Sequence, residues 1–223
     1  MASVVDICNL ALASLGDSAT VASIDPPEGS AQAEHCARFY PIALASLLEL
    51  HNWGFSMRRT VLAEVANTST TWDYAYAAPS GLINIIAVLA PDAADDYSTT
   101  VKTIDSESGY TRDTVGGSYL PQDFSSEINE VGNTIILTNQ PNAVLRYTTL
   151  VTDTTEFSPL FIESLVALLA SKLAGPIIKG AEGRQESKAQ MAVFTSWMAK
   201  AKSSDAGQRH SIVKQNVSWI NAR

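Results

Sequence analysis

Cysteine, histidine and charge are all scarce in this chain of 223 residues. Its two cysteines, Cys8 and Cys36, stand alone among alanines and leucines, too few for a disulfide framework and without the spacing of a zinc site. They read as small buried apolar residues of a chain kept in a reducing compartment. The three histidines, His35, His51 and His210, occupy unrelated contexts with no HExxH pair, so helix surfaces and caps are their expected places. Asp, Glu, Lys and Arg make up 17% of the residues and leave a net charge of −8. That balance argues against the basic footprint of a nucleic-acid binder and against attraction to an anionic membrane.

Motifs that carry chemistry are missing too. "TVGGSY" has glycines but no P-loop lysine, and no GxSxG elbow occurs. The aspartates of "PDAADDYS" lack the spacing and terminal Glu of an EF-hand. Arg58 and Arg59, after "HNWGFSM", are expected to hold the carboxylates of a neighbour or chain turn. Glu127 and Glu130 have the chemistry of an acid–base pair, but nothing in the sequence sets them in a cleft. The expectation is a chain that is not an enzyme, with no catalytic residues, no cofactor and no metal. "MASVVDICNLALASLG" carries Asp6 inside its apolar run and has no basic leader, so it is not read as an export signal.

What is present sorts into four parts. Residues 1–59 read as the first part of a helical bundle. Ser3 and Asp6 form a capping box, Gly16 is a stop, and Val4, Cys8, Ala11, Leu12 and Leu15 repeat at helical spacing. A second helix lines up Ala33, Cys36, Ala37, Tyr40, Leu44, Leu47 and Leu48, with a kink or split expected at Pro41. Residues 60–156 lose that period and read as an inserted antiparallel β domain of four to six strands. "WDYAYAAPSGLINIIAVLAP" reads as a partly buried strand, "SEINEVGNTIILTN" as two short strands around Val131-Gly132-Asn133, and "NAVLRYTTLVTD" as another. Residues 104–125, rich in Gly, Ser and Asp, read as a long loop or hairpin with a mobile tip.

Residues 157–206 return to helices. "EFSPLFIESLVALLASKLAGPII" is apolar on nearly every side, yet Glu163 and Lys172 interrupt it and Gly175-Pro176 is expected to end it. A membrane span needs roughly 20 consecutive apolar residues, so this stretch reads as a central core helix, capped by Ser158 with Pro159 in the first turn. Its narrow polar side is expected at Glu163, Ser164 and Ser171. The next helix, from about Ala181 to Asp205, has Met191, Phe194, Met198 and Ala201 as its stripe. Residues 207–223 lack a helical stripe but contain Val217, Trp219 and Ile220, and read as an extended C-terminal arm that docks on a partner. The fold class is therefore α+β: an antiparallel helical bundle, an inserted antiparallel β domain and a C-terminal arm. Charge divides with it: from Lys179 onward eight Lys and Arg stand against three Asp and Glu, and from 60 to 156 three stand against thirteen.

In order along the chain, "ICNLALASLGD", "FYPIALASLLELHNWGF", "WDYAYAAPSG" and "ILTNQPNAVLRYTTLVTDTTEFSPLFIESLVALLASKLAGPI" resemble tail tubular protein A, the head-to-tail adaptor family of short-tailed bacteriophages (podoviruses). The likeness covers both helical parts and both ends of the β insert, and passes over 92–125 and the residues after Asp205. It implies a structural virion protein of the head–tail interface, present in the host cytoplasm during assembly. Such a protein forms a homo-dodecameric ring between the portal protein and the tail nozzle (tubular protein B). Genomic DNA would pass through the channel without sequence-specific binding, and no membrane is involved. The arm residues Arg209, Ile212, Val213, Lys214, Val217, Trp219 and Ile220 are the expected portal-docking set, with Trp219 as aromatic anchor. The rival readings are another virion structural protein such as a tail completion subunit, a tail-associated cell-wall hydrolase, and an ordinary α+β binding module.

Overall fold

The computed structural model describes residues 2–18, 20–91, 100–104, 111–115 and 122–208, with 100–104 and 111–115 described by backbone pairing alone. The chain is α+β and divides into two compact units, Met1–Ser56 with Leu150–Gln208, and Met57–Thr149.

The first unit is helical. α1 (Val4–Ser14) starts at the expected capping box: the Asp6 amide donates to Ser3 Oγ at 3.1 Å, and the Ser3 amide donates to the Asp6 carboxylate at 2.8 Å. The Ser3 backbone and then its hydroxyl hold the Asp6 carboxyl below its ordinary value. α2 (Ala31–Glu49) is capped by Ser30, whose hydroxyl accepts from the Ala33 amide. Of the kink or split expected at Pro41, the split does not occur: the helix runs through Pro41. Pro41 is exposed and Ala37 half-exposed, so the carbonyl deprived of its donor lies toward water, while Tyr40, Ala43 and Leu44 anchor the buried side.

α3 (Pro159–Ile178) begins as the sequence indicates, with the Phe161 amide donating to Ser158 Oγ. It does not end at Gly175-Pro176 but continues to Ile178. A residue before proline is pushed out of the helical region chiefly by its Cβ, which Gly175 lacks. Ser164 and Ser171 are buried rather than on a polar side; their hydroxyls donate to the carbonyls of Leu160 at 2.8 Å and Leu168 at 2.7 Å. Apolar enough by length and composition to cross a membrane, α3 instead packs against α1, α2 and α4 (Gly180–Gly207), with Phe161, Leu165, Leu169 and Leu173 fully buried. Each such side chain contributes about 1.5–3 kcal/mol through burial.

Between α3 and α4 a single residue, Lys179 (φ +64°), reverses the chain. The two helices then approach at Gly183, where an added Cβ would lie 2.8 Å from the Ala174 carbonyl oxygen. One turn on, Ser187 Oγ donates to the Ser171 carbonyl at 2.7 Å, so the pair is antiparallel. Phe194, Met198 and Ala201 are buried as expected, but Met191 is 44% exposed. The stripe turns outward there because the buried face of α4 passes through Gly183 and Ser187.

Two features of this core were not foreseen. The first is a pin at the end of α4. Asp205 is buried there; its Oδ1 accepts the Gly54 amide at 2.8 Å and its Oδ2 lies 3.1 Å from His51 Nε2. Between these two partners, Trp53 is buried, donates Nε1–H to the Leu47 carbonyl at 3.0 Å, and meets Phe161 edge-on at 4.9 Å. His51 thus serves neither as cap nor as surface residue. Phe55 and Phe157 complete the aromatic cluster around Phe161. The second feature is the meeting of the two thiols: Cys8 of α1 and Cys36 of α2 are both buried, and the hydrogen bond between them, together with burial, holds the Cys8 proton well above the usual thiol value. Beside them the Tyr40 hydroxyl is buried without a hydrogen-bond partner among the described residues, and its pKa is pushed up to about 12 by burial and by the Cys8 thiol.

The second unit is built of β-strands: β1 (Met57–Val61), β2 (Glu64–Val65), β3 (Tyr74–Ala77), β4 (Leu82–Leu89), β5 (Thr100–Ile104), β6 (Thr111–Val115), β7 (Phe124–Ile128), β8 (Thr134–Thr138) and β9 (Val144–Thr149). All pairing is antiparallel: β1-β9-β4, β2-β3-β8-β7, and a separate β5-β6 pair. The nine strands among the described residues exceed the four to six expected: β1 and β2 are short, carry Arg58, Arg59 and Glu64 and give little apolar alternation, and β5 and β6 form a separate pair. "WDYAYAAPSGLINIIAVLAP" is two strands in different sheets, since Pro79-Ser80-Gly81, with Gly81 at φ +71°, turns the chain from one to the other. The sheets bury Tyr76, Val88, Ile136 and Leu145 against one another. The first and last strands of the unit are neighbours, with Met57 opposite Thr148.

Three variants test this packing by urea unfolding. Asp205→Ala strands the Gly54 amide and unpairs His51, and is expected to lower stability by about 3 kcal/mol. Gly183→Ala forces α3 and α4 apart, with an expected loss of about 1–3 kcal/mol. Tyr40→Phe removes an unsatisfied hydroxyl and keeps the ring, so stability is expected to hold or rise by up to about 1 kcal/mol; a clear loss would show that the hydroxyl has a partner.

Candidate functional site

The portal-docking set expected from the sequence, Arg209, Ile212, Val213, Lys214, Val217, Trp219 and Ile220, lies outside the described residues, as do His210 and the aspartates of "PDAADDYS". Val115 of "TVGGSY" ends β6, and the glycines that follow it are also outside.

Among the described residues no three His, Cys, Asp or Glu side chains gather within metal-binding reach. Cys8 and Cys36 are buried inside the helical unit; the Cys8 thiol, held protonated, is a poor nucleophile, while the hydrogen bond from Cys8 lowers the pKa of Cys36. His51 and Asp205 are engaged with each other, and Asp205 also accepts the Gly54 amide. Arg58 and Arg59 lie on β1, opposite Tyr147 and Arg146 of β9. Arg146 is buried, and its Nη2 reaches Met57 Sδ at 3.3 Å. Glu127 and Glu130 stand on β7 and on the turn after it, exposed rather than enclosed.

What the described surface offers is shape, apolar area and charge, in two places. On the helical unit a groove of about 510 Å³ runs between α2, α3 and α4. Phe39, Gly175, Gly183 and Met191 supply its apolar lining, and Lys172, Arg184 and Lys188 their charge. Arg184, Lys188 and Met191 follow one another at i, i+4 and i+7, so one face of α4 turns all three the same way. Gly183 explains why there is a groove: it admits the close approach of the two helix backbones and leaves no side chain above them. No carboxylate pairs with these three cations among the described residues. Glu186, the acid nearest to them along α4, accepts from the Gln190 side-chain Nε2 at 2.9 Å instead.

On the β unit the projecting feature is the β7–β8 hairpin. Its turn is closed by Asn129, whose amide donates to the Asn133 carbonyl at 2.9 Å and whose Oδ1 accepts the amides of Val131 at 3.1 Å and Asn133 at 2.8 Å. Gly132 supplies the positive φ, +89°, that the turn needs. The hairpin holds two large apolar side chains in water: Ile128 is 73% and Val131 82% exposed. Glu127 and Glu130 alternate with them and are also exposed. A second depression, of about 480 Å³, lies beside this turn and is lined by Pro79, Ser80, Gly81 and Asn133 among others.

Sequence reading identified the hairpin but not the exposure of Ile128 and Val131 at its tip, and it missed the groove. The signal for the groove was the i, i+4, i+7 series Arg184, Lys188 and Met191, with Met191 assigned to the core instead. Asp205 was signalled by an acid in the last turn of a helix, where the macrodipole disfavours negative charge.

Compared with known proteins, the chain matches no protein-family model and no curated protein.

Proposed function

We propose that this chain is a structural head-to-tail adaptor of a short-tailed bacteriophage, forming a ring between the portal protein and the tail nozzle around the DNA exit channel. The observation that carries this reading is the ordered set of four sequence stretches that resemble tail tubular protein A. Those stretches have defined jobs in this fold. "HNWGF" supplies His51, Trp53 and Gly54 to the Asp205 pin, and "EFSPLFIESLVALLASKLAGPI" is the helix against which α1, α2 and α4 pack. An adaptor needs surfaces of different character for different neighbours, and the apolar cationic groove of the helical unit and the apolar acidic hairpin of the β unit differ in that way. In this reading the residues after Gln208, with Trp219 and their basic charge, dock on the portal, and the channel passes DNA without reading it.

The test is sedimentation of the purified chain, alone and mixed with cognate portal rings, with imaging of the large species. The expected outcome is a mixed particle holding one adaptor per portal subunit, lost when residues 209–223 are deleted from a chain that still folds. Separate sedimentation of adaptor and competent portal sinks the reading. Binding that survives the deletion keeps the adaptor and removes the arm.

A further inference from the structure

We propose that the groove between α2, α3 and α4 receives the β7–β8 hairpin tip of a second copy of this chain. The inference supplies a subunit contact for the ring proposed above and rests on that reading only for its biological setting; the complementarity belongs to the two surfaces themselves.

The groove pairs an apolar lining, Phe39 and Met191, with three cations that have no carboxylate partner among the described residues. Burying Phe39 and Met191 further is favourable in itself. Covering Lys172, Arg184 and Lys188 with an apolar or basic partner would strip their hydration without return, so the occupant must bring carboxylates along with apolar side chains. The described surface carries that combination on the β7–β8 hairpin. Over five consecutive residues the hairpin places Glu127, Ile128, Glu130 and Val131, with both apolar side chains mostly in water. The side chain of Asn129 and the backbone bonds across the turn hold the tip in shape before it meets a partner, which lowers the ordering cost of docking.

Other occupants fit less well. Residues 209–223 include Arg209, Lys214 and Arg223 and no Asp or Glu, so they would add positive charge to a groove already rich in it. Duplex DNA would satisfy the cations, but it would leave Phe39 and Met191 facing a charged backbone.

A contact between a groove on one unit and a hairpin on the other joins two different patches, and each copy offers both. Made head to tail, it repeats from copy to copy and builds a ring if the rotation closes or an open filament if it does not; made reciprocally, it gives a two-fold dimer. Because the pairing is largely between exposed charges, it weakens as salt rises.

The experiment is sedimentation equilibrium of the full chain at low ionic strength, with circular dichroism to show that each variant is folded. The four substituted residues are exposed, so folding is expected to survive. Wild type is expected to associate below about 1 mM, the weak limit of a specific contact. R184E with K188E, and separately E127K with E130K, are each expected to weaken association about tenfold or more. A chain carrying all four changes is expected to recover it, since the charges again oppose. A wild-type chain that stays monomeric to about 1 mM overturns the proposal, as does association that neither reversal alters, or a four-fold variant that fails to recover. A fluorescent duplex that binds wild type and loses binding in R184E/K188E, with self-association unchanged, would assign the groove to nucleic acid instead. Portal binding is read separately. A chain that joins portal rings but fails the charge swap keeps the adaptor and loses this contact; a chain that passes the swap and ignores the portal does the reverse.

Discussion

One carboxylate sets the geometry of the helical unit. Asp205 stands in the last turn of α4, where the helix dipole opposes its charge, and it stays there because it accepts the Gly54 amide and faces His51. Both partners belong to the segment that follows α2, so this single side chain fixes the end of the last helix to the end of the second. Trp53, between the two partners, is thereby pressed edge-on against Phe161 of α3. Gly54 keeps the contact close: a Cβ there would sit 3.1 Å from Asp205 Oδ1, and the carboxylate would have to give by a few tenths of an ångström. Three helices, α2, α3 and α4, are thus joined through a few residues.

The parts of this fold that were legible in the sequence are those decided by local chemistry. Ser3 with Asp6, and Ser158 with Pro159, begin helices because each supplies an acceptor or a pre-set φ within one turn. The β7–β8 hairpin shows through Gly132 and its flanking strands. The α+β class itself follows from the change of hydrophobic period. What escaped depends on neighbours distant along the chain. Ser164 and Ser171 look like a polar side until their hydroxyls are seen to donate back to their own helix. Pro41 looks like a break until the exposure of its face is known. β1 and β2 look like a junction because their order comes from pairing with β9 and β3. Of the candidate surfaces, the hairpin was visible as an element and the groove was not, since a groove is a property of three helices at once.

The division of charge along the sequence takes a definite form in the structure. Lys172, Arg184 and Lys188 surround an apolar depression on the helical unit, and Glu127 and Glu130 alternate with exposed Ile128 and Val131 on the β unit. The net charge of −8 therefore hides two local surfaces of opposite sign. Glycine does related work on the helical unit. Gly183 permits two backbones to approach closely, and Gly175 lets α3 continue into a proline. Tight helix contact and an open groove come from the same small residues.

The pairing of Met57 with Thr148 has a consequence for how this chain can change. The strands that open and close the β unit are adjacent, so its two ends lie about 5 Å apart. Once the β unit is folded, the insert acts on α2 and α3 as a very short loop, whereas an unfolded insert would cost closure entropy that grows with its length. The length of a hairpin within the folded insert therefore bears on the stability of the β unit itself and not on the chain entropy that the helices must overcome.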